Sequence, residues 1–95
     1  MQEKILCAAI HFDDGIDYTH QPLKPGFVIC GLRHGAIFEI AYACGISKEF
    51  ERTQGFLTSR GRFVKREEAC KIAGKMNQIN NKIGPDGILF SEDLY

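Results

Sequence analysis

Residues Gln54 to Glu68 read Q-G-F-L-T-S-R-G-R-F-V-K-R-E-E and hold three arginines, two phenylalanines and two glycines. Phe56-Leu57-Thr58 and Arg62-Phe63-Val64 flank Ser59-Arg60-Gly61, the pattern of a tight hairpin. With Arg60-Gly61 as a two-residue turn, Thr58 lies opposite Phe63 and Leu57 opposite Val64. With a three-residue turn that places Gly61 in the left-handed conformation, the pairing changes. Arg-Gly is weaker turn chemistry than Asn-Gly, so both geometries stand. The stretch predicts a hairpin feeding directly into a helix start.

That helix is predicted over about 65–77, where Ala69, Ile72, Ala73 and Met76 share one face. Glu67 and Glu68 lie in its first turn and Lys75 near its end, as the macrodipole favours. Glu67 and Lys71 form an i, i+4 pair. Lys65 occupies the N-cap position, where Ser, Thr or Asp would serve better. Gly74 weakens the interior by about 1 kcal/mol relative to Ala, so the helix depends on tertiary packing. Residues 77–87 predict a polar loop. The tail 88–95, I-L-F-S-E-D-L-Y, is apolar enough to be docked.

Upstream, residues 4–12, K-I-L-C-A-A-I-H-F, suit a buried strand ended by Asp13-Asp14-Gly15. Ala8 and Ala9 make a short helix the competing reading. Pro22 and Pro25 fix a loop over 16–26, because neither can donate a main-chain hydrogen bond. Residues 27–32, F-V-I-C-G-L, predict a second strand, able to pair antiparallel with the first. Ile37, Ile40, Ala41 and Cys44 then fall at i, i+3, i+4 and i+7, predicting a helix over 34–44 closed by Gly45. Residues 46–53, I-S-K-E-F-E-R-T, predict a charged loop, or a helical turn capped by Ser47.

Ninety-five residues make a single domain with a small core of its own, for which a homodimeric partner is the commonest support. Twelve Lys+Arg balance twelve Asp+Glu, which argues against bulk nucleic acid as a partner. Cys7, Cys30, Cys44 and Cys70 form no C-x-x-C pair and read as buried free thiols of a reducing cytosol. No apolar run is long enough for a membrane span, and M-Q-E-K does not begin a signal peptide. A soluble cytosolic protein is expected, with no membrane partner.

Arg33 and His34 follow a strand and open a helix, where free N–H groups favour anions. Arg60, Arg62 and Arg66, with Phe56 and Phe63, combine guanidinium groups that match phosphate with rings that stack on bases. The bland reading is a surface arginine and a packing histidine in the first group, and core rings with solvated arginines in the second. His11, His20 and His34 near Asp13, Asp14 and Asp17 match no metal-ligand template, so neither a metal nor a cofactor is expected. A Cys30–His34 nucleophile pair conflicts with a buried Cys30. Ser91 to Tyr95 could meet a ribose or base, or lock onto arginines of the same or another subunit.

These residues carry a resemblance. Gln54 to Thr58, Gly61 to Ala69, Gln78-Ile79 and Leu89 to Tyr95 match the Q-G-F-hydrophobic-T, G-R-F-V-x-R-x-E-A, Q-I and L-F/Y-S-E-D-L-aromatic pattern of small bacteriophage proteins. Ala8 to Ile10 and Arg33-His34 fit it too. The chain resembles the first-described Thoeris anti-defence family, sponges for cyclic ADP-ribose-type signals, some of which take up CBASS cyclic oligonucleotides. Two departures stand out: Lys65 in place of an acid, and a longer first hairpin at His20 to Gly26. The resemblance implies an α+β fold, a small antiparallel sheet with two helices, in an obligate or near-obligate homo-oligomer built on dimers. It implies sequestration in the host cytoplasm of a cyclic nucleotide or cyclic ADP-ribose-type small molecule, without turnover. Arg33 and Arg66 would grip pyrophosphate, Phe56 or Phe63 would stack on adenine, and Asp93 would accept from sugar or base; His34 and Arg62 complete the candidate ligand-binding residues. The alternatives are a protein–protein inhibitor or structural phage module, or a cyclic-nucleotide-cleaving enzyme using His34 or His11.

Overall fold

The first strand, β1 (Ile5–Phe12), is the centre of the molecule because its A-A-I run can be dry on both sides; Ala8, Ala9, Ile10 and Phe12 are all buried. The structure is a computed structural model that describes residues 3–76 and 78. Antiparallel neighbours flank β1: β2 (Phe27–Gly31) on one side and β3 (Glu51–Thr58) on the other. The short β4 (Phe63–Lys65) pairs outside β3, giving the order β2-β1-β3-β4. With α1 (His34–Ala43) and α2 (Arg66–Lys75), this is the expected α+β fold.

Register sorts the side chains onto two faces, since directly paired residues share a face. Ala8, Ile10 and Phe12 share one with Ile29, Phe27, Phe56 and Val64. There they pack against Ile37 and Ala41 of α1 and Ala69 and Ala73 of α2. Cys7, Ala9, His11, Val28, Cys30, Thr53, Leu57, Phe63 and Lys65 belong to the opposite face. A bulge at Leu6, between the Ile5–Thr58 and Cys7–Leu57 pairs, returns Ile5 to the core and turns Leu6 outward.

The hairpin takes the three-residue turn. Leu57 pairs with Phe63, the Thr58 amide donates to the Arg62 carbonyl at 2.9 Å, and Gly61 has φ +76°. Helix α1 ends as a Schellman motif: Ile46 N donates to Ala41 O and Gly45 N to Tyr42 O, with Gly45 at φ +85°. Helix α2 has no side-chain N-cap, as Lys65 foretold.

Three expectations need correction. Residues 51–53 are strand, not loop, because their main chain pairs with His11 and Phe12 whatever their charge; only Lys48–Phe50 forms a 3₁₀ turn, capped by Ser47. The buried stripe of α1 is His34, Ile37 and Ala41, while Ile40 is 57% exposed and Cys44 exposed. Glu39 is the helix's single charged residue and apolar side chains occupy most of the remaining surface, so periodicity could not choose its inner face. Cys30 is exposed as well, on the sheet face opposite α1 and α2 and on an edge strand among the described residues. The expected polar loop, except Gln78, and the tail lie outside the described residues. Gln78 clamps β1 by accepting from Ile5 N (2.8 Å) and donating to Ile5 O (2.7 Å).

Candidate functional site

Phe56 and Phe63 come from adjacent pairs of the hairpin, Phe56 with Val64 and Phe63 with Leu57, so the pleat sends them to opposite faces. Phe56 is 0% exposed and belongs to the core. It is therefore closed to any ligand, and Phe63 is the ring of the two that belongs to the outer face. The Phe63 ring lies over Gly55, whose hypothetical Cβ would come within 2.8 Å of Phe63 Cζ. It also neighbours the His11 ring at a centroid distance of 6.4 Å.

A surface cleft of about 650 Å³ opens beside Phe63, within the size range of small-molecule pockets. Thr53 and Phe63 come from the sheet, and Leu23 from the proline loop between β1 and β2. Lys65, Glu67, Glu68 and Lys71 line it from the β4–α2 junction. Glu68 accepts from Arg62 at 3.1 Å, a guanidinium that it shares with Glu3. The start of α2 adds main-chain N–H groups that favour negative charge. The cleft therefore offers an aromatic surface, an aliphatic side chain and a balanced set of charges, two lysines with two glutamates. A smaller hollow of about 270 Å³ lies by Glu3, Arg60 and Lys75.

The other expected site residues are placed elsewhere. His34 is 7% exposed, its Nε2 donates to the Gly55 carbonyl at 2.8 Å, and its ring meets Phe56 edge-on at 5.2 Å. Arg66 donates to Gln54 Oε1 at 2.8 Å and lies 5.9 Å from the Phe56 ring centroid. His34, Phe56 and Arg66 thus form one cluster on the core side of the sheet, where each ties α1 or α2 to β3. Arg33 is half-buried at the N-cap of α1, and its carbonyl accepts from Ile37 N.

Arg62 binds Glu3 through two hydrogen bonds, Nε at 2.8 Å and Nη2 at 2.7 Å. Thr58 Oγ1 donates to the same carboxylate at 2.6 Å. Arg62 and Thr58 hold Glu3 down at about 2, and the two carboxylates push Arg62 upward. This is a structural fork between the chain start, the hairpin and α2. Asp93 lies outside the described residues.

Leu23, Thr53, Lys65, Glu67 and Lys71 were not anticipated. Lys65 and Lys71 stand six residues apart, a spacing that joins no helical face, so nothing local paired them. Nothing local marks Leu23.

Cys30 is pushed up to about 11 by shielding and by the adjacent Cys7 thiol, so it stays protonated at neutral pH. Among the described residues no group of three or more His, Cys, Asp or Glu could hold a metal ion, and no helix is long and apolar enough to cross a membrane. No curated protein and no solved structure matched the chain. The family model of the phage T4 y16D protein matches residues 4–95. With nearly its whole length covered, the chain belongs to the phage T4 y16D protein family.

Proposed function

We propose that this protein binds and sequesters a cyclic nucleotide immune signal in the host cytoplasm, a cyclic ADP-ribose isomer of Thoeris or a CBASS cyclic oligonucleotide, without cleaving it. The observation that carries the reading is the outward Phe63 ring in a cleft of about 650 Å³ flanked by Lys65 and Lys71. A flat base stacks on such a ring, and the lysines with the α2 start answer a pyrophosphate. The resemblance through Gln54 to Ala69 supports the same choice of ligand. The test mixes protein with cyclic ADP-ribose, measures binding by calorimetry, then heat-denatures the complex. Recovery of intact ligand supports a sponge. Altered ligand points to an enzyme, and silence across cyclic ADP-ribose isomers, dinucleotides and trinucleotides points to a protein–protein inhibitor.

The same reading includes a homodimer. Its support is α1, which carries Glu39 alone as a charged residue and leaves Ile40 57% exposed, with Leu32 just before it at 59%. A helix with so little charge normally buries more than one face, and the uncharged surface around Ile40 can meet its own copy without like-charge repulsion. Ile40→Glu should convert the dimer to monomer in analytical ultracentrifugation; a dimer that survives it is built on another face.

A further inference from the structure

We propose that His11 is a positioning residue of the cleft, fixing the strap of residues 13–26 through the Pro25 carbonyl so that Leu23 forms a wall against one flat ring on Phe63. The inference rests on the binding role just given and specifies how the slot is built. The strap leaves the sheet after Phe12 and re-enters at Phe27, two residues paired directly. Its base is tied by Asx-type bonds from Gly15 N to Asp13 and from Ile16 N to Asp14, and by Gly26 N to Ile16 O at 2.7 Å. Tyr18 donates to Asp14 at 2.6 Å, and Gln21 accepts from Val28 N at 2.8 Å.

Leu23 stands between Pro22 and Pro25, which have no N–H to tie this part of the strap down. The bond from His11 Nε2 to the Pro25 carbonyl, 2.8 Å, supplies a tie there from the acceptor side. A carbonyl only accepts, so Nε2 carries the proton and the ring's tautomer is set. His11 belongs to the same sheet face as Phe63 and lies 6.4 Å from it, ring to ring. One residue therefore touches both the aromatic floor and the strap. Leu23 and Phe63 then line one cleft. An aliphatic side chain and a ring lining one cleft favour a planar heterocycle, which gains stacking from the ring and apolar contact from the leucine.

Hydrogen–deuterium exchange of the strap and calorimetry with cyclic ADP-ribose test this in the full chain. His11→Ala should raise strap exchange about tenfold and weaken binding about tenfold. His11→Gln, which keeps an N–H donor near the Nε2 position, should restore both. Leu23→Ala should weaken binding while strap exchange stays at the wild-type rate. Unchanged strap exchange in His11→Ala overturns the proposal, as does full affinity despite a loosened strap. If wild-type protein does not bind cyclic ADP-ribose but His11→Ala still loosens the strap, the anchoring stands and the choice of ligand falls.

Discussion

Gly55 is the most exacting position of the sheet, and replacing it with alanine puts the packing under Phe63 to a quantitative test. It sits between Ala9 of β1 and Lys65 of β4. A Cβ there would overlap the Val64 carbonyl oxygen and lie 2.8 Å from Phe63 Cζ. Where the native backbone accepts it, Gly→Ala stabilises by roughly 0.4–1 kcal/mol through the unfolded chain. Here the conflict is with main chain, which cannot rotate aside, so β3 and β4 must part locally. Forced overpacking of this kind costs about 1–3 kcal/mol. In a domain of this size each kcal/mol moves Tm by roughly 4–8 °C, so Gly55→Ala should melt roughly 5–20 °C below wild type. Thermal unfolding followed by circular dichroism reads this directly. Adding Phe63→Ala relieves only the ring contact and should recover little. A Gly55→Ala protein as stable as wild type would refute the close approach of the Val64 carbonyl, and full rescue by Phe63→Ala would assign the conflict to the ring.

Three further outcomes follow from the same geometry. Phe56→Ala should cost about 3–5 kcal/mol as a core truncation, whereas Phe63→Ala should leave Tm within a few degrees and abolish cyclic ADP-ribose binding in calorimetry. His34→Leu removes the donor to the buried Gly55 carbonyl and should cost about 1–3 kcal/mol, read by urea denaturation. Glu3 is held at about 2 in the folded protein against an ordinary 4.5, so its contribution is present above the unfolded value and is lost as pH falls toward about 2. A Tm-versus-pH profile should therefore be flatter for Glu3→Gln than for wild type across that acid window and parallel to it at neutral pH.

Most of the secondary structure was legible because the chemistry is local. Pro22, Pro25, Gly45 and Gly61 punctuate the chain, and both helices start within a residue of their expected positions. The strand at Glu51–Thr53 was not legible, because its pairing with β1 is a main-chain matter that charged side chains neither announce nor prevent. The inner face of α1 was hidden for the opposite reason, since a single charge, Glu39, is all that marks its outer side. At the site, the guanidinium groups that looked like ligand cations have partners set by distant residues. Glu3 reaches Arg62 from the chain start, and Gln54 reaches Arg66 across β3. The choice between Phe56 and Phe63 hung on a one-residue change of turn length. Leu23 enters the cleft only because the β1–β2 connection reaches back over the sheet face toward Thr53 and Phe63, although β2 and β4 lie at opposite ends of the strand order.

The strap also bears on how this family can change. It departs and returns at the directly paired Phe12 and Phe27, and Gly26 at φ +96° makes the re-entry beside the Phe12 carbonyl. Lengthening the connection between those fixed ends leaves the register of every strand untouched, and doubling such a loop costs only about 0.6 kcal/mol in closure entropy. One wall of the cleft is thus free to vary while the aromatic floor and the β4–α2 side stay constant. Under the proposed binding role, relatives that differ in the length of this connection should share a scaffold and diverge in ligand preference, which a panel of exchanged straps on one sheet would test.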